Sequence, residues 1–464
     1  MRAILPLIIA MSTFAAGGAT VVVAQPQPLD TMAVDAFVRE QLKATRLPGA
    51  AIAITRGTDV LFVRGYGTTS TGEAIGPDTP FRVASLSKSF TALAVMQLVD
   101  EGKVQLDTPV RAYLPEFELA DPRGARITVR QLLDQTSGMS DRGFPEVSRP
   151  QPRSLRGAVQ RLRTARLTTD PGTAWSYHNP NYQVAARLVE VVSGEPFAAY
   201  LRRHVFEPLG MSHTTTTDTD DQAVPGLADG YTFPYGIAVA RPAPGYFVAG
   251  SGGVVTTAAD MARWLIAQSN GGVGANGARV VSATSVTAMH TPSELGEYAL
   301  GWDIDGPRLS PTRIEHGGTQ FTFSAHQALL PASGFGVAVL FNSATTLWAE
   351  QVAIIDGVIA LVEGRAPEPG APVSFIADLV LAILTLATLA LGALGIARSR
   401  GWASRRATRP AWRIALALLP HLALPLLFAA LPAVAGFVFG GRDVTWRSLV
   451  FAWPALAVWL AVAA

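Results

Sequence analysis

The stretch Phe81-Arg82-Val83-Ala84-Ser85-Leu86-Ser87-Lys88 sets a serine and a lysine three residues apart, at the predicted start of a helix running to about Asp100. Residues i and i+3 share a helix face, so the two side chains can touch. A serine hydroxyl is a weak nucleophile until a base takes its proton, and a lysine is such a base only when its pKa is lowered. The positive end of a helix and burial both push it that way. Leu93, Val95, Met96, Leu98 and Val99 predict that the helix is buried, which would hold Ser85 rigidly. Ser85 therefore reads as a nucleophile and Lys88 as the group that activates it. The only other lysines are Lys43 and Lys103, so a chance Ser-x-x-Lys is uncommon in this composition.

The flanking chain predicts a scaffold for this helix. Asp30 to Arg46 reads as an amphipathic helix, followed by strands at 50–55 and 60–63 around a turn. Thr128 to Gln131 reads as a capping box, Gly138 as a helix stop, and 144–155 as a surface loop rich in proline and arginine. Asn179 and Pro180 read as the N-cap and first position of a helix to Val192. His178 and Asn181 beside them read as packing or capping residues. A helix is expected around 260–268, strands at 326–330 and 336–341, and a last helix at 347–362. Strands at both ends with helices between predict an α/β domain over 25–363, its sheet assembled from the two ends around a helical insertion.

Hydrophobic residues make up 49% of the chain and charged residues only 16%, an imbalance that points to membrane segments beside a globular part. Residues 364–374 read as a linker. Apolar runs at 375–397, 414–439 and 448–464 then predict a bundle of about three transmembrane helices in contact with lipid. Between the first two runs lie Arg398, Arg400, Arg405, Arg406, Arg409 and Arg413, with no acid. Such loops stay cytoplasmic, which puts the α/β domain on the periplasmic or extracellular side of the cell membrane. Residues 1–24, charged only at Arg2 and ending in Val22-Val23-Ala24, read independently as a cleaved export signal. Asp378, near the outer end of the first run, reads as a solvated interfacial acid. A net charge of +2 gives no reason to expect nucleic acid. The absence of cysteine excludes disulfides and thiolate metal sites, and the seven histidines form no zinc-binding spacing, so neither metal nor cofactor is expected.

Three elements carry a resemblance: Ser85-x-x-Lys88, Tyr177-x-Asn179 and His316-Gly317-Gly318. With Leu132 to Gly138 and Leu300-Gly301-Trp302 between them, the chain resembles the serine penicillin-recognising superfamily over roughly residues 30–362. The likeness is to the branch of class C β-lactamases, D-amino-acid peptidases and related esterases. It implies a β-lactamase-like fold with an antiparallel sheet, Ser85 as the acylated nucleophile, and proton transfer shared by Lys88 and Tyr177. It also implies Asn179 at the substrate amide or Lys88, an oxyanion hole from the backbone N–H groups of Ser85 and Thr319, and close substrate approach along Gly317 and Gly318. His316 is a departure, since the better-known penicillin-binding enzymes carry lysine there. Imidazole, with a free pKa of about 6.5, is mostly neutral at neutral pH. That leaves room for amide or ester substrates without a carboxylate at that place. An exported Ser-x-x-Lys domain followed by membrane spans also resembles the prodrug-activating peptidases of bacterial natural-product pathways, typified by the colibactin-maturing peptidase, which remove an N-acyl-D-asparagine cap.

The resulting expectation is a membrane-anchored serine hydrolase acting through an acyl-enzyme on amide bonds, with a small peptide-like or β-lactam-like substrate that includes a D-residue. An esterase or β-lactamase of the same fold is the alternative within enzymes. A sensor that is acylated and does not turn over is the alternative outside them.

Overall fold

The computed structural model describes residues 28–307 and 312–464; the expected export signal lies outside the described residues. Helix α1 (Thr31–Thr45) starts where Asp30 accepts hydrogen bonds from the N–H groups of Met32 and Ala33. Strands β1 (Gly49–Arg56) and β2 (Asp59–Gly67) follow as a hairpin. The middle of the chain holds α2 (Ser87–Asp100), α3 (Asn179–Ser193) and α4 (Ala258–Ser269). The sheet is then completed by β3 (Asp303–Asp305), β4 (Arg313–Gln320), β5 (Phe323–Leu330) and β6 (Phe335–Phe341), before α5 (Ala349–Val362). The strand order is β2-β1-β6-β5-β4-β3, antiparallel throughout. Ala50 of β1 pairs with Phe341 of β6, so the two ends of the domain meet in the middle of the sheet, as the sequence predicts.

Period-two alternation decides what lies on each face. Ala50, Ile52 and Ile54 join Val337 and Val339 in one core with α1 and α5. Ala51 and Ala53, with Ala338 and Leu340, face the other core, where their small side chains admit α2 and α4. Helix α2 is apolar nearly all round, and so is buried on all sides rather than along one stripe. Phe90 stacks on Trp264 at 3.8 Å between ring centres. Gln327 of β5 accepts from the Trp264 indole at 3.0 Å and donates to Ser89 at 3.0 Å. One side-chain amide thus ties α4, the sheet and α2 together, at the residue next to Lys88.

Helix α6 (Val373–Ser404) and the helical segment α7 (Ala411–Val438) are long and apolar enough to cross a membrane, with mean hydropathies of 2.5 and 2.2. The third apolar run takes a different form from the expected continuous span. It is a helix pair, α8 (Trp446–Ala452) and α9 (Pro454–Ala463), bent by 118°. Pro454 supplies no N–H and forces Trp453 out of helical geometry, which accounts for the break. Helix α8 packs on the α/β domain, where Phe451 meets Phe321 at 5.3 Å.

Asp378 is not solvated as expected. It is 1% exposed and accepts from the Gly236 N–H at 2.8 Å and the Trp453 indole at 3.1 Å. The carboxylate is tolerated because it pins the top of α6 to the α/β domain and to the bend before α9.

Gly357 of α5 faces α1 so closely that a Cβ there would lie 2.0 Å from Phe37 Cζ. Gly357→Val is expected to destabilise the α1–α5 layer by about 1–3 kcal/mol through overpacking. Thermal unfolding of the detergent-solubilised chain measures this.

Candidate active site

Ser85 lies in a short 3-10 turn, Ala84–Leu86, that leads into α2. Ala84 takes a φ of 47°, a left-handed conformation that alanine rarely adopts, and the sharp turn leaves Ser85 partly exposed at the head of the buried helix. Lys88, one turn on, is fully buried. Its Nζ lies 3.0 Å from Ser85 Oγ, 2.9 Å from Asn179 Oδ1 and 2.9 Å from the Ser251 carbonyl. Tyr177 donates its hydroxyl to Ser85 Oγ at 2.8 Å. Four sequence-predicted residues from two separate parts of the chain, joined by Ser251 from a third, therefore share one hydrogen-bonded group.

Burial is the main force on Lys88, with the Arg442 charge second, and together they bring its pKa down to about 7. Burial pushes the Tyr177 phenol the other way, above its ordinary value, in spite of the bond to Ser85. Near neutral pH Lys88 is divided between ammonium and free amine, while Tyr177 keeps its proton.

Asn179 corrects one expectation. The N-cap position of α3 is His178, which makes no side-chain cap bond, and Asn179 is the first helical residue. Its carboxamide is spent on the site instead, facing Lys88 on one side and donating to Glu146 Oε1 at 2.7 Å on the other. His178 and Asn181 are buried, as expected of packing residues.

The β4 edge brings Gly318 and Thr319 to the same turn. A Cβ at Gly318 would lie 2.4 Å from the Val83 carbonyl and 3.0 Å from Ser85 N, so only glycine lets the strand come this close. Ser85, Asn179 and Thr319 line a cavity of about 280 Å³ together with Glu146, Gln151, Phe247, Phe321 and Trp348. His316 is not on its wall. The ring is 2% exposed, with Nε2 at 3.0 Å from the Tyr298 hydroxyl. Burial first, and then Lys88, depress its pKa to about 3, so it is a neutral packing partner of Tyr177 and Tyr298 and presents no charge to the cavity.

Sequence reasoning missed the acids behind the site. The stretch read as a surface loop carries Glu146, which is 5% exposed and reaches Asn179. Burial, then Asp141, raise its pKa above the usual carboxylate range. Asp141 accepts from His178 Nδ1 at 2.7 Å, from Arg442 Nε at 2.7 Å and from the Asp443 N–H at 2.9 Å. Against the upward push of burial, His178 and Arg442 hold its pKa at about 2. The Asp141, Glu146 and His178 ligand atoms lie within 4.8 Å of one another, close enough to suggest a metal centre. The donor set does not fit one: both Asp141 oxygens and one Glu146 oxygen already accept from N–H groups, and an arginine supplies the positive charge. A lone acid in an arginine-rich loop was the available signal for Glu146. A charged pair between two apolar runs was the signal for Arg442 and Asp443.

The Beta-lactamase family profile matches residues 34–357. The chain belongs to this family. Penicillin-binding protein 4 of Amycolatopsis lactamdurans is 32% identical over 351 residues, covering 70% of this chain and 89% of that protein. Protein flp of Staphylococcus aureus strain MW2 is 27% identical over 67% of this chain, which spans 62% of that relative's length. Among solved structures, the octameric penicillin-binding protein homologue from Pyrococcus abyssi is similar with a TM-score of 0.61 and 25% identity, over 77% of this chain and 81% of that one. For a β-lactamase-family chain, the antiparallel sheet with its helical insertion is the family's fold, and serine hydrolase chemistry is the family's chemistry.

Gly318→Val is expected to force β4 off the Ser85 turn. Covalent labelling by a serine-reactive fluorophosphonate should slow by about a hundredfold, the scale of a misplaced reacting group, while circular dichroism keeps the native helix content.

Proposed function

We propose that this protein is a membrane-anchored serine hydrolase that cleaves amide bonds through an acyl-enzyme on Ser85, with Lys88 as the base. The observation that carries this is the set of neighbours around Lys88 Nζ. Asn179 Oδ1 and the Ser251 carbonyl are acceptors, and they take two N–H groups. Ser85 Oγ already receives the Tyr177 hydroxyl and has one hydrogen of its own to give. The pattern holds an ammonium that donates to all three oxygens, and it equally holds a neutral amine whose lone pair accepts from Ser85, the form that its depressed pKa makes available.

In the proposed reaction Ser85 Oγ attacks the substrate carbonyl as its proton passes to Lys88 Nζ. We assign the developing oxyanion to the N–H groups of Ser85 and Thr319. Collapse breaks the C–N bond. The departing nitrogen must gain the proton that Lys88 now holds, and the Tyr177 hydroxyl is the relay we assign to that transfer. Water then enters by the reverse path and frees the acid, restoring Ser85.

Among the described residues no lysine or arginine lines the cavity, which supports substrates without a carboxylate there, and the bounded cavity supports an acyl group of about residue size. The resemblance to D-amino-acid peptidases and prodrug-activating peptidases favours a D-residue there. We further propose that the domain faces the periplasm or cell exterior, anchored by α6 and α7. Both helix ends next to the α/β domain lie opposite the arginine-rich connection, which supports that orientation.

Intact-mass analysis of the full chain tests the reading, using a D-Ala-D-Ala peptide, an N-acyl-D-asparagine amide, a β-lactam and a simple ester. A Ser85 adduct that forms and clears is expected, and Ser85→Ala should form none. A wild-type protein that takes no adduct from any of the four sinks the proposal, and a stable adduct without product release would favour the sensor. Acylation should rise with pH through a midpoint of about 7, because Lys88 becomes a free amine above that value and is protonated below it. Tyr177→Phe should slow amide cleavage by about a hundredfold or more and ester cleavage less, since an amide nitrogen leaves only with a proton.

A further inference from the structure

We propose that the connection between α7 and α8, residues 440–445, is a working part of the active site, with Arg442 as a positioning residue that sets the acid–base pair of Lys88 and Tyr177. This rests on the reading of Ser85 as the acylated residue, and it makes the membrane region more than an anchor.

The geometry is specific. The Arg442 guanidinium lies 5.1 Å from the centre of the Tyr177 ring, a cation–π distance. Its Nε donates to Asp141 Oδ2, which also takes the N–H of Asp443. The other Asp141 oxygen meets His178, and His178 leads directly into Asn179, the neighbour of Lys88. The Asp443 carboxylate accepts from the N–H and the hydroxyl of Ser148, in the loop that carries Glu146. Helix α8 continues the contact, with Ser448 and Ala452 on the cavity wall. A segment serving only as a tether has no need to send a charge to the edge of the nucleophile's partner.

The groups facing Lys88 explain what the charge does there. Tyr177, Asn179 and Tyr182 approach from α3 and the residues before it, Ser251 from the turn before α4, and neutral His316 from β4. Glu146 and Asp303 favour the ammonium. Arg442 opposes both acids, and it also favours phenolate at Tyr177. Around Arg442 itself stand Asp141, Glu146 and Tyr177, with Arg142 beside Gly441. Removing the Arg442 charge leaves Glu146 and Asp303 unopposed, so Lys88 holds its proton to higher pH.

The test compares wild type, Arg442→Gln and Arg442→Lys as full chains in lipid nanodiscs. Acylation by p-nitrophenyl acetate is followed by intact mass from about pH 5.5 to about pH 9. Arg442→Gln is expected to move the acidic limb up by about one pH unit, with about fivefold slower acylation at pH 7. Arg442→Lys should keep the limb within about 0.3 of a unit of wild type, because it keeps the charge. An unmoved limb in Arg442→Gln, whether or not the rate falls, overturns the proposal, as does an Arg442→Lys limb displaced as far as that of Arg442→Gln. Should Arg442→Gln fail to fold by thermal unfolding, Arg442→Met takes its place. That change also removes the charge while keeping an unbranched side chain near the Tyr177 ring, and the same upward displacement is expected, an unmoved limb again overturning the proposal. Absence of a wild-type adduct would instead strike the acylation reading, and it is seen before any variant is compared.

Discussion

The Lys88 amine is the constraint on which the rest of the site depends. It is fully buried, and an ammonium there would lose several kcal/mol of hydration. Three oxygen neighbours offset part of that loss, enough to hold the group in place while leaving its proton easily lost near neutral pH. A fully solvated lysine would be a cation with no lone pair to offer, and an unpartnered buried one would be disordered. The site needs the intermediate condition, and three distant segments are brought together to create it: the Ser85 turn, the start of α3, and the turn holding Ser251.

The fold provides that convergence by closing the domain on itself. β1 and β6 come from opposite ends and pair at the centre of the sheet, and α2 is fixed against them through Trp264, Gln327 and Ser89. With α2 immobile, Ser85 cannot move relative to Lys88. Gly318 then decides how close the β4 edge comes to the same turn. Small residues do much of this work: Ala51 and Ala53 on the helix-facing side of β1, and Gly318 at the strand edge, each set a distance that a larger side chain would lengthen.

Much of this was legible in the sequence, for identifiable reasons. The Ser85–Lys88 spacing is local, and its meaning follows from helix geometry. The two-ended sheet follows from strand patterns at 50–55 and 336–341. The apolar runs that became α6 and α7 need only composition. What escaped was long-range. Asn179 before Pro180 satisfies every local rule for an N-cap, yet Lys88 and Glu146 compete for its carboxamide and win. Asp378 looked solvated because its partners, Gly236 and Trp453, lie far away along the chain. The third apolar run contained its own break in Pro454, but the bend of 118° takes its sense from α8 packing on Phe321. His316 was placed at the substrate by motif position, and only Tyr298, eighteen residues earlier, reveals that the ring faces inward.

The buried acids couple the segment after α7 to the group around Lys88 through charge. Glu146 and Asp303 favour the ammonium at Lys88, and Asp141 lies beside Glu146; carboxylates left unopposed here would hold the lysine proton on. The structure answers in two ways. Glu146 is pushed toward its neutral form by burial and by its neighbour, while Asp141 stays ionised because His178 and Arg442 both meet it directly. That arginine does not come from the α/β domain, whose own cations at this edge, such as Arg149 and Arg161, are drawn to the Phe144 ring. It comes from the connection after α7, held by Asp443 on Ser148 and by α8 on Phe321. An α/β domain of this sequence without that connection would leave His178, among the described residues, as the one side chain meeting Asp141 and would lose the Arg442 charge that opposes Glu146 and Asp303 at Lys88, so the charge balance at Lys88 depends in part on a segment outside the α/β domain.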